Sequence, residues 1–424
     1  MFRSLITACA AILLVVAIVS GTSEAFQASL AGLSLWWNFV FPALLPFLVL
    51  AELTLAFGLA DGLGVLLSPL MRLLRLPGSA GWALVQGWTS GFPAGAAATG
   101  KLVTTGRLTQ RQGQRLLALA HSPNPLFLIV VLGAGFLHQP LYGLLLLPII
   151  WLGSLLAGLL SAWAAPRTGE ALSNQGTSDA PSSSPEKKNL HESTGSGSLL
   201  SRTLQAMEDG RNRDGRSFGK ALGDGVAGAV QQLMATGGLI ILASVLLRLL
   251  QPLLPAALHG PALNAAVEVH LGAASLASWH APEPAAMLQA AVLAAALGWG
   301  GLCGLLQAGG ATSATGLRLL PLASARLLAG AIAGGLALLL WRPLEALMAA
   351  AAPAFAASGT HMPAWRALTA QLLQEPGAWA NILRGSLLLQ LPLMAGLIAA
   401  LLVLSAATGA FARLRRLSPG STSR

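Results

Sequence analysis

The chain has 424 residues, of which 54% are hydrophobic and 9% charged, with a mean hydropathy of +0.68. That balance excludes a soluble globular protein and places the chain among integral membrane proteins. The formal charge of +10, from 25 Lys and Arg against 15 Asp and Glu, reads as basic cytoplasmic loops under the positive-inside rule, not as a nucleic-acid surface.

A spanning backbone must satisfy its own hydrogen bonds in lipid, and the Leu/Ala/Val runs lack a barrel's alternation. The predicted fold is therefore an all-α polytopic bundle. Cys9 and Cys303 lie far apart in apolar runs and suggest packing, with no disulfide and no metal site.

Residues 5–19 form an apolar stretch behind Arg3. A retained first helix is preferred to a cleaved signal peptide, although Ser23-Glu24-Ala25 resembles a cleavage site. A second span covers 35–57, with Trp36 and Trp37 as an interfacial anchor and Pro42, Pro46 and Glu52 interrupting it; Arg72 and Arg75 follow. Residues 79–100 are only moderately apolar and contain "GWTSGFPAGAAATG". Lys101, Arg107, Arg111 and Arg115 follow, so both flanks are basic, which predicts a re-entrant hairpin from the cytoplasm. Gly91 and Gly95 flank Phe92-Pro93, where the backbone can turn and restart a helix facing a cavity. The four-residue spacing of these glycines equally fits a kink packed by small residues.

Residues 116–137 and 142–163 are predicted to go out and return around His138-Gln139-Pro140. The segment 167–219, with "SDAPSSSPEKK", reads as a disordered cytoplasmic linker. Residues 226–250 span outward to a turn marked by Pro252, Pro255, His259 and Pro261. A crossing needs about 20 apolar residues, so 264–278 is too short and is predicted as a second hairpin, entering from outside. It holds Glu268 and His270 and runs into "WHAPEP". Residues 287–308 return to a cytoplasmic face bearing Arg318 and Arg326. Then 327–341 cross outward, 345–384 form an outer loop, and 386–406 come back to Arg413, Arg415 and Arg416.

Eight crossings and two oppositely oriented hairpins make an inverted repeat, the construction of many secondary transporters. The divisions are an N-terminal anchor at 1–25, a first half at 30–164, the linker at 165–219, and a second half at 220–346. An outer loop with the last helix occupies 347–410 and a basic tail 411–424. Broken helices leave N–H groups and a positive dipole end where a polar or anionic solute can bind.

Glu268 is the one acid in the second hairpin, and burying it unpaired costs roughly 2.5 to 3.5 kcal/mol on insertion scales. It reads as a coupling or binding residue, or as an interfacial loop glutamate; His270 reads as a solvated loop histidine. Glu52 is either a buried acid of functional weight or the partner of a neighbouring helix. Ser122 and Asn124 supply capping oxygens beside Pro123 and Pro125. Gln307 can donate and accept, either to a solute or between helices. Arg107, Arg111 and Arg115 recur at helical spacing and fit anionic lipid. No catalytic constellation, metal site or cofactor motif is recognisable, so no enzyme is expected.

"LWWNFVFPALLPFLVLAEL", "PLMRLLRLPG", "SGFPAG", "GRLTQRQGQRLL", "SPNPLF" and "ALGWGGLCGLLQAGG" occur in this order. With them the chain resembles, from about residue 33 to 341 outside the linker, the YlbJ or stage V sporulation protein V family of spore-forming Firmicutes. That family carries the nucleoside-recognition, or Gate, domain. The resemblance implies a carrier of dipicolinic acid across the outer forespore membrane. Its binding residues would be Ser90, Gly91, Phe92, Pro93 and Gly95, with Ser122, Asn124 and Pro125; Glu268 and Gly272; and Trp299, Gly300, Gly301 and Gln307. The chain departs from the family pattern at Ala97, where lysine is frequent, and at His270, where threonine is usual. The implied partners are a small solute and the lipid bilayer, with a homo-oligomer left open. A nucleoside carrier, or a scaffold acting through the linker, are the alternatives.

Overall fold

The computed structural model describes residues 2–125, 127–164, 199–255, 259–279, 285–357, 399, 403 and 405–407, and every regular element among them is helical. Helix α1 (Phe2–Ser20) meets α2 (Thr22–Leu35) at a bend of 102°. A π-helical segment, Trp36–Val40, leads into α3 (Phe41–Ala56), and α4 (Leu59–Leu66) follows at 80° before the short α5 (Ser68–Leu73). Next come α6 (Ala80–Ser90), α7 (Phe92–Thr104), α8 (Gln110–Ala120), a π-helical segment Phe127–Phe136, and α9 (Pro140–Ala164). The second half holds α10 (Leu199–Asp214), α11 (Phe218–Leu250), α12 (Pro261–Val267) and α13 (Val269–Ala277). It ends with α14 (Ala285–Trp299), α15 (Gly301–Ala311) and α16 (Leu319–Ala357).

Four helical stretches are long and apolar enough to cross a bilayer: Tyr142–Trp163, Phe218–Leu253, Ala286–Ala311 and Leu319–Leu344. Each of two bent pairs could add one crossing, for six among the described residues. The protein is a multi-pass, all-helical membrane protein.

Several predicted elements change. The span expected at 116–137 is interrupted at 121–124, and the one at 287–308 is interrupted at Gly300. Helix α16 continues to Ala357, through the start of the expected outer loop. The rest of that loop, most of the last crossing, "HAPEP", the basic tail and linker residues 165–198 lie outside the described residues.

The linker expectation also fails at its C-terminal end, because 199–214 is the helix α10, packed on α4. A Cβ on Gly58 would strike the Met207 carbonyl, and Asp61 pairs with Arg213 at 2.9 Å and Arg107 at 3.2 Å. Beside this contact Arg216 gathers three carboxylates, Glu52 at 2.7 Å, Asp214 at 2.8 Å and Asp224 at 3.1 Å. Glu52 is thus the partner of a neighbouring element. The hydrogen bond from Arg216 holds the Asp214 carboxyl below its usual range, and the carboxylates hold the guanidinium well above its own.

Helix α3 packs on α11 and α9 on α16. Trp36 is buried, and its Nε1 donates to the Leu233 carbonyl at 3.0 Å, with the ring against Gly237. It locks two helices together and is not an interfacial anchor; Trp37 is exposed. Helix α14 approaches α16 through Gly298, where a Cβ would lie 2.6 Å from the Gly330 Cα. The main apolar core lies among α6, the Phe127–Phe136 segment, α9, α14 and α16, with Trp88 stacked on Trp151 at 4.8 Å.

A candidate site where helices break

Four interruptions of helix meet in the middle of the bundle. At the first, Gly91 has φ 95° and ψ −169°, which a residue with a Cβ adopts only under strain. The chain reverses there. Gly87 and Gly95 would stand about 12 Å apart on one continuous helix, yet a Cβ on Gly95 would lie 2.8 Å from the Gly87 Cα. Both glycines also face the Ala120 carbonyl. The close-packing partner of Gly95 is therefore Gly87 and not Gly91, which instead makes the turn.

The second interruption is His121 to Asn124, after α8. The Asn124 Oδ1 accepts from the Phe127 backbone N–H at 2.7 Å and so starts the next helical segment, while its Nδ2 points to the Ser90 carbonyl at 3.5 Å. One side chain thereby ties this break to the tip of the first hairpin.

The third is Glu268, extended (φ −140°, ψ 124°) between α12 and α13. These helices also fold back, with Gly272 against the Ala265 Cα. The Glu268 Oε2 accepts from the Leu271 N–H at 2.8 Å, and its Oε1 lies 2.7 Å from His270 Nδ1. Glu268 is 1% and His270 6% exposed. Neither the interfacial glutamate nor the solvated histidine is found, since the tight turn draws both side chains inward.

The fourth is the pair Gly300 (φ 83°) and Gly301 (φ 76°) between α14 and α15. A Cβ on Gly300 would meet the Phe92 ring at 2.9 Å, and one on Gly301 would meet the Val269 nitrogen at 2.9 Å. Bare backbone at this break therefore touches both hairpin tips, where any side chain would hold them apart.

A narrow cavity opens between these breaks. It is lined by Ser90, Gly91, Phe92, Pro93, Asn124 and Gln307 from the predicted set, joined by His270, Thr236 and Phe127 among others. The remaining predicted residues stand around it. Glu268 sits behind His270, while Gly95, Gly272, Gly300 and Gly301 set the close packing. Ser122 is buried in the second break and Pro125 begins the helix after it. Trp299 is drawn away, its Nε1 donating to the Ala266 carbonyl at 3.0 Å.

Sequence reasoning missed Thr236, whose α11 position looks like any polar residue within a span, and His121, which no motif marked. It also counted Arg326 among the cytoplasmic charges, whereas that side chain is fully buried on α16.

No protein-family model matches the chain, and no solved structure matches it. The chain is 34% identical over 347 residues to the sporulation integral membrane protein YlbJ of Bacillus subtilis (strain 168), an alignment covering 77% of this chain and 80% of that protein. At that identity and coverage, the chain belongs to the family of the sporulation integral membrane protein YlbJ.

Proposed function

We propose that the protein is a membrane carrier for a small, planar, anionic or polar solute. Dipicolinic acid, carried across the outer forespore membrane during sporulation, is the preferred cargo. The observation that carries this reading is the convergence of four helix breaks on one cavity lined by Ser90, Asn124, His270 and Gln307. Helix breaks in lipid need partners for their free backbone groups, and a solute at that point supplies them. The relative's name, which places it in sporulation and in the membrane, supports the setting.

Two halves of opposite orientation, with eight crossings in all, fit the same reading. Each half has a long helix (α3, α11), a helical hairpin (α6–α7, α12–α13), a broken span (α8 with Phe127–Phe136, α14–α15) and a closing helix (α9, α16). Corresponding members pack on each other, α3 on α11 and α9 on α16, and each half's hairpin packs on the other half's broken span, α7 on α15 and α13 on Phe127–Phe136. Alternating access would tilt one half against the other around the shared cavity.

The test is uptake of labelled dipicolinate into vesicles containing the purified protein, under imposed proton and ion gradients. Uptake above empty vesicles, competed by unlabelled dipicolinate and lost in G91V, is the expected result. No uptake under any gradient, from protein shown to be folded, would overturn the reading. Competition by nucleosides instead would move the cargo to that class.

A further inference from the structure

Arg326 is fully buried on α16, about two turns from its start, and has no acidic partner among the described residues. Its Nη1 donates to the Ala118 carbonyl at 3.3 Å and to the Ser154 hydroxyl at 3.1 Å. Its Nε and Nη2 reach no partner. Those two nitrogens form the guanidinium edge that presents two parallel N–H bonds, the edge that receives both oxygens of a carboxylate. Three residues beyond Ala118, at the end of the same helix α8, stands the ring of His121. That ring is also fully buried with both nitrogens unpartnered, and so is the hydroxyl of the adjacent Ser122.

A buried lysine could shed its proton, but arginine stays charged in proteins. The Ala118 carbonyl belongs to the last turn of α8, whose dipole end carries about half a negative charge and offsets only part of the cation. An anion bound at the free edge would supply the rest. This pole adjoins the cavity, because the His121 ring packs at 4.9 Å on Phe92, which lines it.

We propose that Arg326, with His121 and Ser122, binds a carboxylate of the carried anion. The inference rests on the carrier reading and assigns the charge recognition to a residue outside the cavity lining. Glu268 and His270 stand near the opposite hairpin tip, so the anion's charged group is directed away from the carboxylate of Glu268.

The test is the thermal unfolding midpoint of purified protein titrated with sodium dipicolinate or sodium benzoate, against sodium chloride at equal ionic strength. The midpoint of the unsubstituted protein is expected to rise with either carboxylate. R326K, which keeps a charge without the parallel donors, should need at least tenfold more, and R326M should not respond. Without anion R326M should be at least as stable as the unsubstituted protein, because replacing an unpaired buried charge with a methionine removes a desolvation cost. An equal carboxylate response in R326M or R326K, or no response in the unsubstituted protein, overturns the inference. Vesicle uptake separates the two ideas. Uptake that R326K leaves unchanged sinks the Arg326 site alone, and Arg326-dependent binding without uptake sinks the carrier alone.

Discussion

The Glu268 carboxylate holds the His270 ring at 2.7 Å inside the turn between α12 and α13, and only the ring reaches the cavity wall. The acid is thus a positioning residue. Its other oxygen caps α13 through Leu271, so one side chain fixes both the hairpin and the histidine.

This double duty can be separated. E268Q keeps an acceptor for Leu271 and should cost under about 1 kcal/mol, whereas E268A strands a half-buried N–H and a buried ring and should cost about 2 kcal/mol or more. Thermal unfolding in detergent reads the difference. If the pair acts as a unit in transport, E268Q and H270Q each slow uptake, and the double variant is no slower than the worse single one.

The reversal at Gly91 depends on what surrounds it. An alanine at Gly87 places its Cβ against the Ala120 carbonyl, and backbone there has no room to yield. G87A should destabilise by about 2 kcal/mol or prevent accumulation, in keeping with overpacked sites. Gly228 on α11 has nothing within 4 Å of a built Cβ, so G228A should be neutral or gain up to about 1 kcal/mol from helix propensity. Half-lives at a fixed temperature in detergent would rank the two.

Acid should loosen the cluster around Arg216. The Asp214 carboxyl is held below its ordinary range chiefly by the side-chain hydrogen bond from Arg216. Because its folded value lies below its unfolded one, its stabilisation is complete above the ordinary carboxylate range and is lost as pH falls through the folded value. The unfolding midpoint should therefore drop on acidification below about pH 4. D214N should lower the midpoint at neutral pH and flatten that drop; an unchanged acid slope in D214N would remove Asp214 from the account.

Replacing residues 165–198 by a Gly/Ser sequence of equal length should leave uptake intact. Extending the replacement through Ser217 should not, since it strips α10 from α4 and removes the arginines that pair with Asp61 and Glu52. A scaffold acting through the linker would lose function with the shorter replacement already. Recovery of uptake beside spore-assembly phenotypes would decide between them.

The sequence made the hairpin tips legible and concealed the partners of those tips. Gly-Phe-Pro announces a turn by its own chemistry, and a 15-residue apolar piece with a glutamate is too short to cross. Gly300 and His121, by contrast, interrupt runs whose hydropathy alone is sufficient for a span, so one unusual residue leaves no trace in the average. Arg326 misled for a different reason. It lies eight residues beyond Arg318, within reach of a charged flank, and its burial is decided by α8 and α9, which the local sequence does not show. Helix α10 has few apolar residues and draws its order from α4, a contact as invisible to local pattern as the ion pairs that secure it.

The bond from Trp36 to the Leu233 carbonyl joins residues 197 positions apart. A ribosome adds on the order of 5–20 residues per second, so the start of the chain waits roughly ten seconds or more for that acceptor to be made. Over that interval Glu52 lacks Arg216, Asp61 lacks Arg213, and the indole of Trp36 has no carbonyl to meet. Until α11 arrives the N-terminal half lacks these partners and should behave as a nascent intermediate rather than a finished module. A stop codon after residue 164 should therefore yield rapid degradation, not a stable half-protein.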